Sequence, residues 1–203
     1  MTADAVDDTW METCLIGISK IDGSDLQFAA ITETVDIDLG EKDIDPVALV
    51  NGGRVTKWTP EGVSTITFEG YPLEAGTDSG TTGKGFYDLM HDVDAAVPIR
   101  VVNSRTRDKY RVLVLWTNDS TATTAQSATA ENSSALRIGL ADGHFTSVKA
   151  SFTDGALKMT ATYKVAAFDK AGAGNVMMES AAGSSGTDKL PAIASYTSAN
   201  KFG

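Results

Sequence analysis

"ALRIGLADGHFTSVKASFTDGALKMTATYKVAAFD", residues 135–169, is the most regular part of the chain and decides its fold. Three runs of strand character are separated by "ADG" and "TDG". Asp-Gly supplies the positive φ angles of tight turns, so the stretch predicts three strands joined by two hairpins. In the last run Leu157, Met159, Ala161, Tyr163 and Val165 alternate with Lys158, Thr160, Thr162 and Lys164. A period of two puts the first set on a buried face and the second on a solvated one.

The same period recurs upstream. In "FAAITETVDIDLG" (28–40), Ile31, Val35, Ile37 and Leu39 oppose Thr32, Thr34, Asp36 and Asp38. In "VSTITFEGY" (63–71), Ile66 and Phe68 oppose Thr65, Thr67 and Glu69. "KYRVLVLWTND" (109–119) sets Tyr110, Val112, Val114 and Trp116 against Arg111, Leu113 and Leu115. That strand is apolar on both faces near its end and should be largely buried. With "VPIRVVNSR" (97–105) it predicts a hairpin turning at "RTRDK". "CLIGISKIDG" (14–23) reads as a first strand ending in a turn.

Between these lie irregular stretches. Residues 40–62 are punctuated by Pro46, Gly52-Gly53 and Pro60-Glu61-Gly62, an excursion with a short strand around Arg54–Trp58. "GFYDLMHDVD" (85–94) is the best helix, with Phe86, Leu89, Met90 and Val93 at helical spacing. "STATTAQSATAENSS" (120–134) is polar and of low complexity and reads as an exposed loop. Residues 1–12 read as a loose acidic start. Small polar residues dominate 171–203, where Leu190, Ile193, Tyr196 and Phe202 are the few anchors. The reading is a mainly β chain, a β-sandwich or barrel-like fold with one flanking α-helix and long loops. Residues 1–171 form a single domain, and 172–203 form a Gly/Ser-rich arm or flexible tail.

Composition narrows the function. The chain has 203 residues and a net charge of −10. Its acidity is mostly aspartate, 19 Asp against 8 Glu, with 11 Lys and 6 Arg. Such a surface repels nucleic-acid phosphates. It suits high salt, where screening removes self-repulsion, and equally an ordinary acidic protein. No stretch of about eighteen apolar residues offers a membrane span. "MTADAVDDTW" lacks the features of a signal peptide. Cys14 has no second cysteine to pair with.

Catalytic patterns are missing. The Gly-rich loop "GTDSGTTGKG" (76–85) invites comparison with a phosphate cradle. However, Asp78 occupies the first glycine position and Gly85 the hydroxyl position, so the anion would meet a carboxylate and the metal would lose its ligand. The two histidines, His91 and His144, have no H-x-x-x-H partner, and no nucleophile elbow, C-x-x-C or dinucleotide fingerprint occurs. Asp36, Asp38, Asp43 and Asp45 are the best candidates for a weak cation site, and a solvated acidic face explains them as well. The basic residues of 100–111 read as a solvated hairpin. The expectation is a protein that is not an enzyme and holds no cofactor or metal.

Two stretches carry a resemblance. "RVTKWTPEGVSTITFEGYPLEAGTDSGTTGKGFYDLMHD" (54–92) and "ALRIGLADGHFTSVKASFTDGALKMTATYKVAAFD" resemble segments of the major tail tube proteins of long-tailed viruses. The matching residues are Lys57, Trp58, Pro60, Glu61, Gly62, Tyr71, Pro72, Leu73 and Glu74, then Thr153, Asp154 and Gly155. The resemblance spans roughly 28–169. It implies a tail tube fold, assembled as rings of six stacked into a hollow tube for genome delivery. The implied partners are the protein itself, the tape measure, tail tip and terminator proteins, and viral DNA passing without tight binding. The implied location is the virion tail, after synthesis in the host cytoplasm. Aspartate richness adds a halophilic archaeal host, or an acidic bacteriophage. If strands 31–39 and 63–71 line the tube, Thr34, Asp36, Asp38, Thr65, Thr67 and Glu69 face the lumen. Val47, Leu49, Val50, Trp58, Gly83, Lys84 and Gly85 would then lie at contacts between subunits. The competing reading is a carbohydrate- or cell-surface-binding module that uses Trp58, Trp116 and Tyr71 as a stacking platform.

Overall fold

The computed structural model describes residues 13–22, 26–27, 30–41, 44–58, 62–72, 108–130, 133–182 and 189–203. The expected helix over 85–94, the loop 76–85, the strand 97–105 and the acidic start lie outside them. The chain is mainly β, as its periodicity predicts. The strands are β1 (Thr13–Lys20), β2 (Leu26–Gln27), β3 (Ala30–Asp38), β4 (Ile44–Ala48), β5 (Arg54–Trp58), β6 (Val63–Pro72), β7 (Tyr110–Thr117), β8 (Ser134–Thr153), β9 (Ala156–Ala166) and β10 (Val176–Ala182). Seven follow the order β2-β1-β7-β8-β9-β6-β3, and β10 joins the same sheet by pairing with β8. β4 and β5 form a ribbon of their own.

The twenty-residue β8 is the spine. Its first half pairs with β7 and β10, and its second half pairs with β9. A register shift between Phe145 and Ser147 marks the change, and such bulges bend a strand and increase its twist. The sheet therefore curls until its two parts share one core. Ile18, Tyr110, Val112, Val114, Ile138 and Leu140 come from one part, and Ile66, Phe68, Phe145, Met159, Ala161, Tyr163 and Val165 from the other. Phe145 is central: the rings of Tyr110 and Tyr163 meet it edge-on, each with centroids 5.3 Å away.

The two Asp-Gly pairs behave differently. Asp154 (φ 55°) and Gly155 (φ 80°) make the expected hairpin turn between the paired residues Thr153 and Ala156. Asp142-Gly143 makes no hairpin and lies inside β8, with Asp142 at φ 63°. The cause is Tyr163, which is completely buried. Its hydroxyl accepts from Gly143 N at 2.8 Å and donates to Tyr110 O at 2.7 Å. A Cβ on Gly143 would sit 2.4 Å from that hydroxyl and 2.5 Å from Lys164 O. The glycine thus serves close approach. Gly143→Ala is expected to cost about 3 kcal/mol through overpacking, measured by urea denaturation. An unchanged midpoint would show that the strand relaxes freely here.

The strand 97–105, expected to form a hairpin with β7, lies outside the described residues, and β7 pairs with β1 along one edge and with β8 along the other. Its two apolar faces are both covered, as its pattern requires. The cover on the second face was not foreseen. Residues read as an exposed loop place Ala125 and Ala128 in a second core with Leu113, Leu115, Ala135, Leu190 and Ile193. Asp119 organises that loop. It accepts from Thr121 N, Thr121 Oγ1, Thr129 N and Ala130 N at 2.6–3.0 Å. Burial works to raise its carboxyl, but these bonds outweigh it and hold the group below the usual range.

Candidate assembly surfaces

The outer face of β3, β6, β9 and the second half of β8 is a polar ladder. One rung is Thr34, Glu69, Thr160 and Lys149; the next is Asp36, Thr67, Thr162 and Ser147; the third is Asp38, Thr65, Lys164 and His144. The alternation that sends Ile66 and Phe68 into the core sends Thr65, Thr67 and Glu69 here. The structure thus brings the six residues expected to share a face onto one face. It also adds three lysines, Lys149, Lys158 and Lys164, which lay outside the expectation of an Asp-, Glu- and Thr-lined wall. A bulge between Thr32 and Thr34 brings Glu33 into play. Lys158 Nζ lies 2.7 Å from Glu33 and 2.9 Å from Glu69. Hydrogen bonds from Lys158, then Thr160, hold the Glu69 carboxyl below its ordinary value, and hydrogen bonds to Glu33, then Glu69, raise the Lys158 ammonium. Glu69 is therefore a paired group, not simply a solvated one.

The β4–β5 ribbon is a second surface. Its register sets Val47 against Val55 and Asp45 against Lys57. Leu49 N donates to Gly53 O at 2.8 Å across the tip. All five residues of β4 are exposed, as are the apolar side chains of Ile44, Val47, Leu49, Val50 and Val55. Of the residues assigned to contacts, Val47, Leu49 and Val50 thus share this ribbon. Trp58 ends β5, and its side chain lies outside the description; Gly83, Lys84 and Gly85 lie outside it altogether.

A third feature was missed by sequence reasoning. Arg111, read as part of a solvated hairpin, is completely buried. Its guanidinium donates to Lys201 O at 2.7 Å and Ala194 O at 3.0 Å, and lies 5.5 Å from the centre of the Tyr196 ring. Arg137, buried likewise, donates to Gln126 O, to Pro191 O at 3.0 Å and to Glu179. Lys201 Nζ binds Asp169 and Asn175 at 2.6 Å and Asp142 at 3.2 Å. Tyr196 donates its hydroxyl proton to Asp142 at 2.7 Å. Residues 189–203, read as part of a flexible tail or a partner-binding arm, pack on the chain's own sheet, and 176–182 form β10. The one signal available was an arginine on the apolar strand β7, where a charge must find internal partners.

The other candidates separate. Trp116 packs half-buried against the core, while Tyr71 is exposed on β6, so the two form no common platform. Asp36 and Asp38 lie on the ladder, and among the described residues no three His, Cys, Asp or Glu side chains converge as metal ligands. Asp43 and His91 lie outside the description. His144 Nδ1 lies 3.0 Å from Asp108 O. Cys14 is a free, exposed cysteine on β1.

No family model matches the chain, and no curated protein sequence does. Solved structures do. The fold is similar to that of a chain in the cryo-EM structure of the PVC sheath–tube complex, from an extracellular contractile injection system in its extended state. The identity is 15%, the match covers 88% of this chain and 97% of that one, and the TM-score is 0.50. A chain of the tube-terminating cap of the anti-feeding prophage aligns over 89% of this chain and 99% of its own, at 13% identity and a TM-score of 0.49. At such identity the likeness is one of fold.

Proposed function

We propose that the chain is a structural subunit of a viral tail tube. It polymerises into rings of six that stack into a hollow tube for genome delivery. The observation that carries this reading is the β4–β5 ribbon, a two-stranded element with apolar side chains in water on a chain of tube-complex-like fold. Two-stranded ribbons are marginal alone, and a neighbouring subunit would cover these side chains. The outer edges of β2 and β3, which end the strand order, offer further hydrogen bonds to neighbours. A heterologous contact of this kind closes into a ring when its rotation permits. The polar ladder lines the channel in this reading, and DNA slides past it without tight binding. Tape measure, tail tip and terminator proteins are the expected partners in the virion tail, and no catalytic step is assigned.

Deleting residues 44–52 is the direct test. Among the described residues the ribbon pairs with no strand of the main sheet, and its base is held by Gly62 N donating to Glu41 O at 3.2 Å. The deleted protein should keep the wild-type circular dichroism spectrum and melting behaviour but form no tubes in negative-stain micrographs. Tubes of normal diameter from this variant would remove the ribbon from the contact, and a dispersed wild-type monomer would overturn the proposal.

A further inference from the structure

Where does the ribbon of one copy dock? We infer that its tip enters a groove at the ribbon base of a second copy, an inference that rests on the proposed polymer. The groove has a volume of about 320 Å³ and is lined by Leu39, Gly40, Ser64, Ala167, Phe168, Gly174 and Val176. That volume is at the bottom of the range for small-molecule sites, roughly 300–1,000 Å³. It fits one or two aliphatic side chains.

Charge identifies the occupant. The chain carries a net charge of −10, so copies approach most easily through neutral surfaces. The groove lining contains no ionisable side chain, and neither does the ribbon tip, Ala48-Leu49-Val50-Asn51-Gly52-Gly53. Both present apolar groups to water: Leu39 and Phe168 at the groove, Leu49 and Val50 at the tip.

Geometry makes the occupant a second copy. Gly40 lines the groove and leads into the ribbon, so the groove lies at the ribbon's own base. The five-residue strands carry the tip roughly 17 Å away, at about 3.3 Å per residue. A paired ribbon does not fold back over that distance to reach its own base. Tip-to-base docking is heterologous, and each copy both donates and receives, which extends to a ring or a stack.

Single-cysteine proteins in a Cys14→Ser background test the pairing. Val50→Cys is mixed with Phe168→Cys and oxidised. A disulfide-linked heterodimer is expected in at least tenfold excess over a mixture of Val50→Cys with Lys149→Cys on the polar ladder. Gly174→Glu gives an independent reading. A Cβ there has no neighbour closer than Val176 O at 4.0 Å, so the fold should tolerate it while the charge blocks the groove. At least tenfold less polymer with an unchanged melting curve is expected. Equal cross-linking at the two positions, or normal tubes from Gly174→Glu, overturns the groove assignment. If deletion of 44–52 still blocks assembly in that case, the tube reading stands and the ribbon docks elsewhere. If the deletion also leaves assembly intact, the ribbon contact fails together with the groove.

Discussion

Arg111→Ala should lower the stability of the folded chain by about 3–5 kcal/mol, the largest single-residue effect expected outside the apolar core. The guanidinium is completely buried on β7 and fills space that alanine leaves empty. It also supplies charged donors to Lys201 O and Ala194 O in part-buried bonds, and a hydrogen bond from a charged group contributes about 1.5–3 kcal/mol. For a chain of this size the loss corresponds to a fall of roughly 6–20 °C in Tm. The C-terminal segment should loosen first, because Arg111 holds its backbone at two points. Trypsin cleavage after Lys189 and Lys201 is expected to accelerate in native buffer. Arg111→Lys should recover only part of the stability, since an ammonium lacks the fork that reaches both carbonyls. An Arg111→Ala protein with wild-type Tm and wild-type proteolysis would show that the segment is held without it.

The second large effect concerns charge on the polar ladder. Changing Asp36, Asp38 and Glu69 together to lysine should make assembled tubes retain DNA. Among the described residues the face holds four carboxylates, Glu33, Asp36, Asp38 and Glu69, against Lys149, Lys158 and Lys164. The triple change leaves one carboxylate among six lysines. In a narrow channel such fields add, since the screening length of about 8–10 Å at ordinary salt spans much of the wall. Retained DNA should be released as salt rises, the signature of phosphate contacts. Folding should survive with a modest loss. The Glu69–Lys158 pair is partly exposed, and such pairs contribute about 0–1 kcal/mol. Asp38 also accepts from Gly40 N at 2.9 Å, a bond the lysine forfeits. Retention would be measured by sedimenting tubes with labelled DNA at low and high salt. Triple-variant tubes that bind no more DNA than wild type would place this face away from the channel.

The strands themselves were legible because period two is a local property. Met159 to Val165 alternate in the sequence and alternate in β9, and Ile66 and Phe68 point where their spacing says, whereas Leu157, expected on the buried face, is exposed near the start of the strand. The double-sided burial of β7 was legible for the same reason: past Arg111, both of its residue sets are apolar. The six ladder residues could be grouped because residues on one face of adjacent strands share the same environment. Their lysine neighbours could not be grouped with them, since that needs the pairing of β6 with β9 and β9 with β8, fixed by partners nearly a hundred residues away.

What the sequence by itself determined is the existence of the period-two strands and most of their inward and outward faces, the hairpin at Asp154-Gly155 and the apolar character of residues 44–50. All of these depend on neighbours within a few positions. Only the tertiary structure decided that Asp142-Gly143 lies inside β8, because the space is taken by the Tyr163 hydroxyl twenty residues along the chain. Only it decided that 120–130 and 189–203 cover the second face of β7. Those segments are rich in Ala, Ser and Thr and show no period, so their burial rests on Asp119, Arg111 and Arg137 satisfying backbone groups at long range. A buried polar group is stabilised by partners that the fold brings to it, and those partners have no fixed spacing in the sequence.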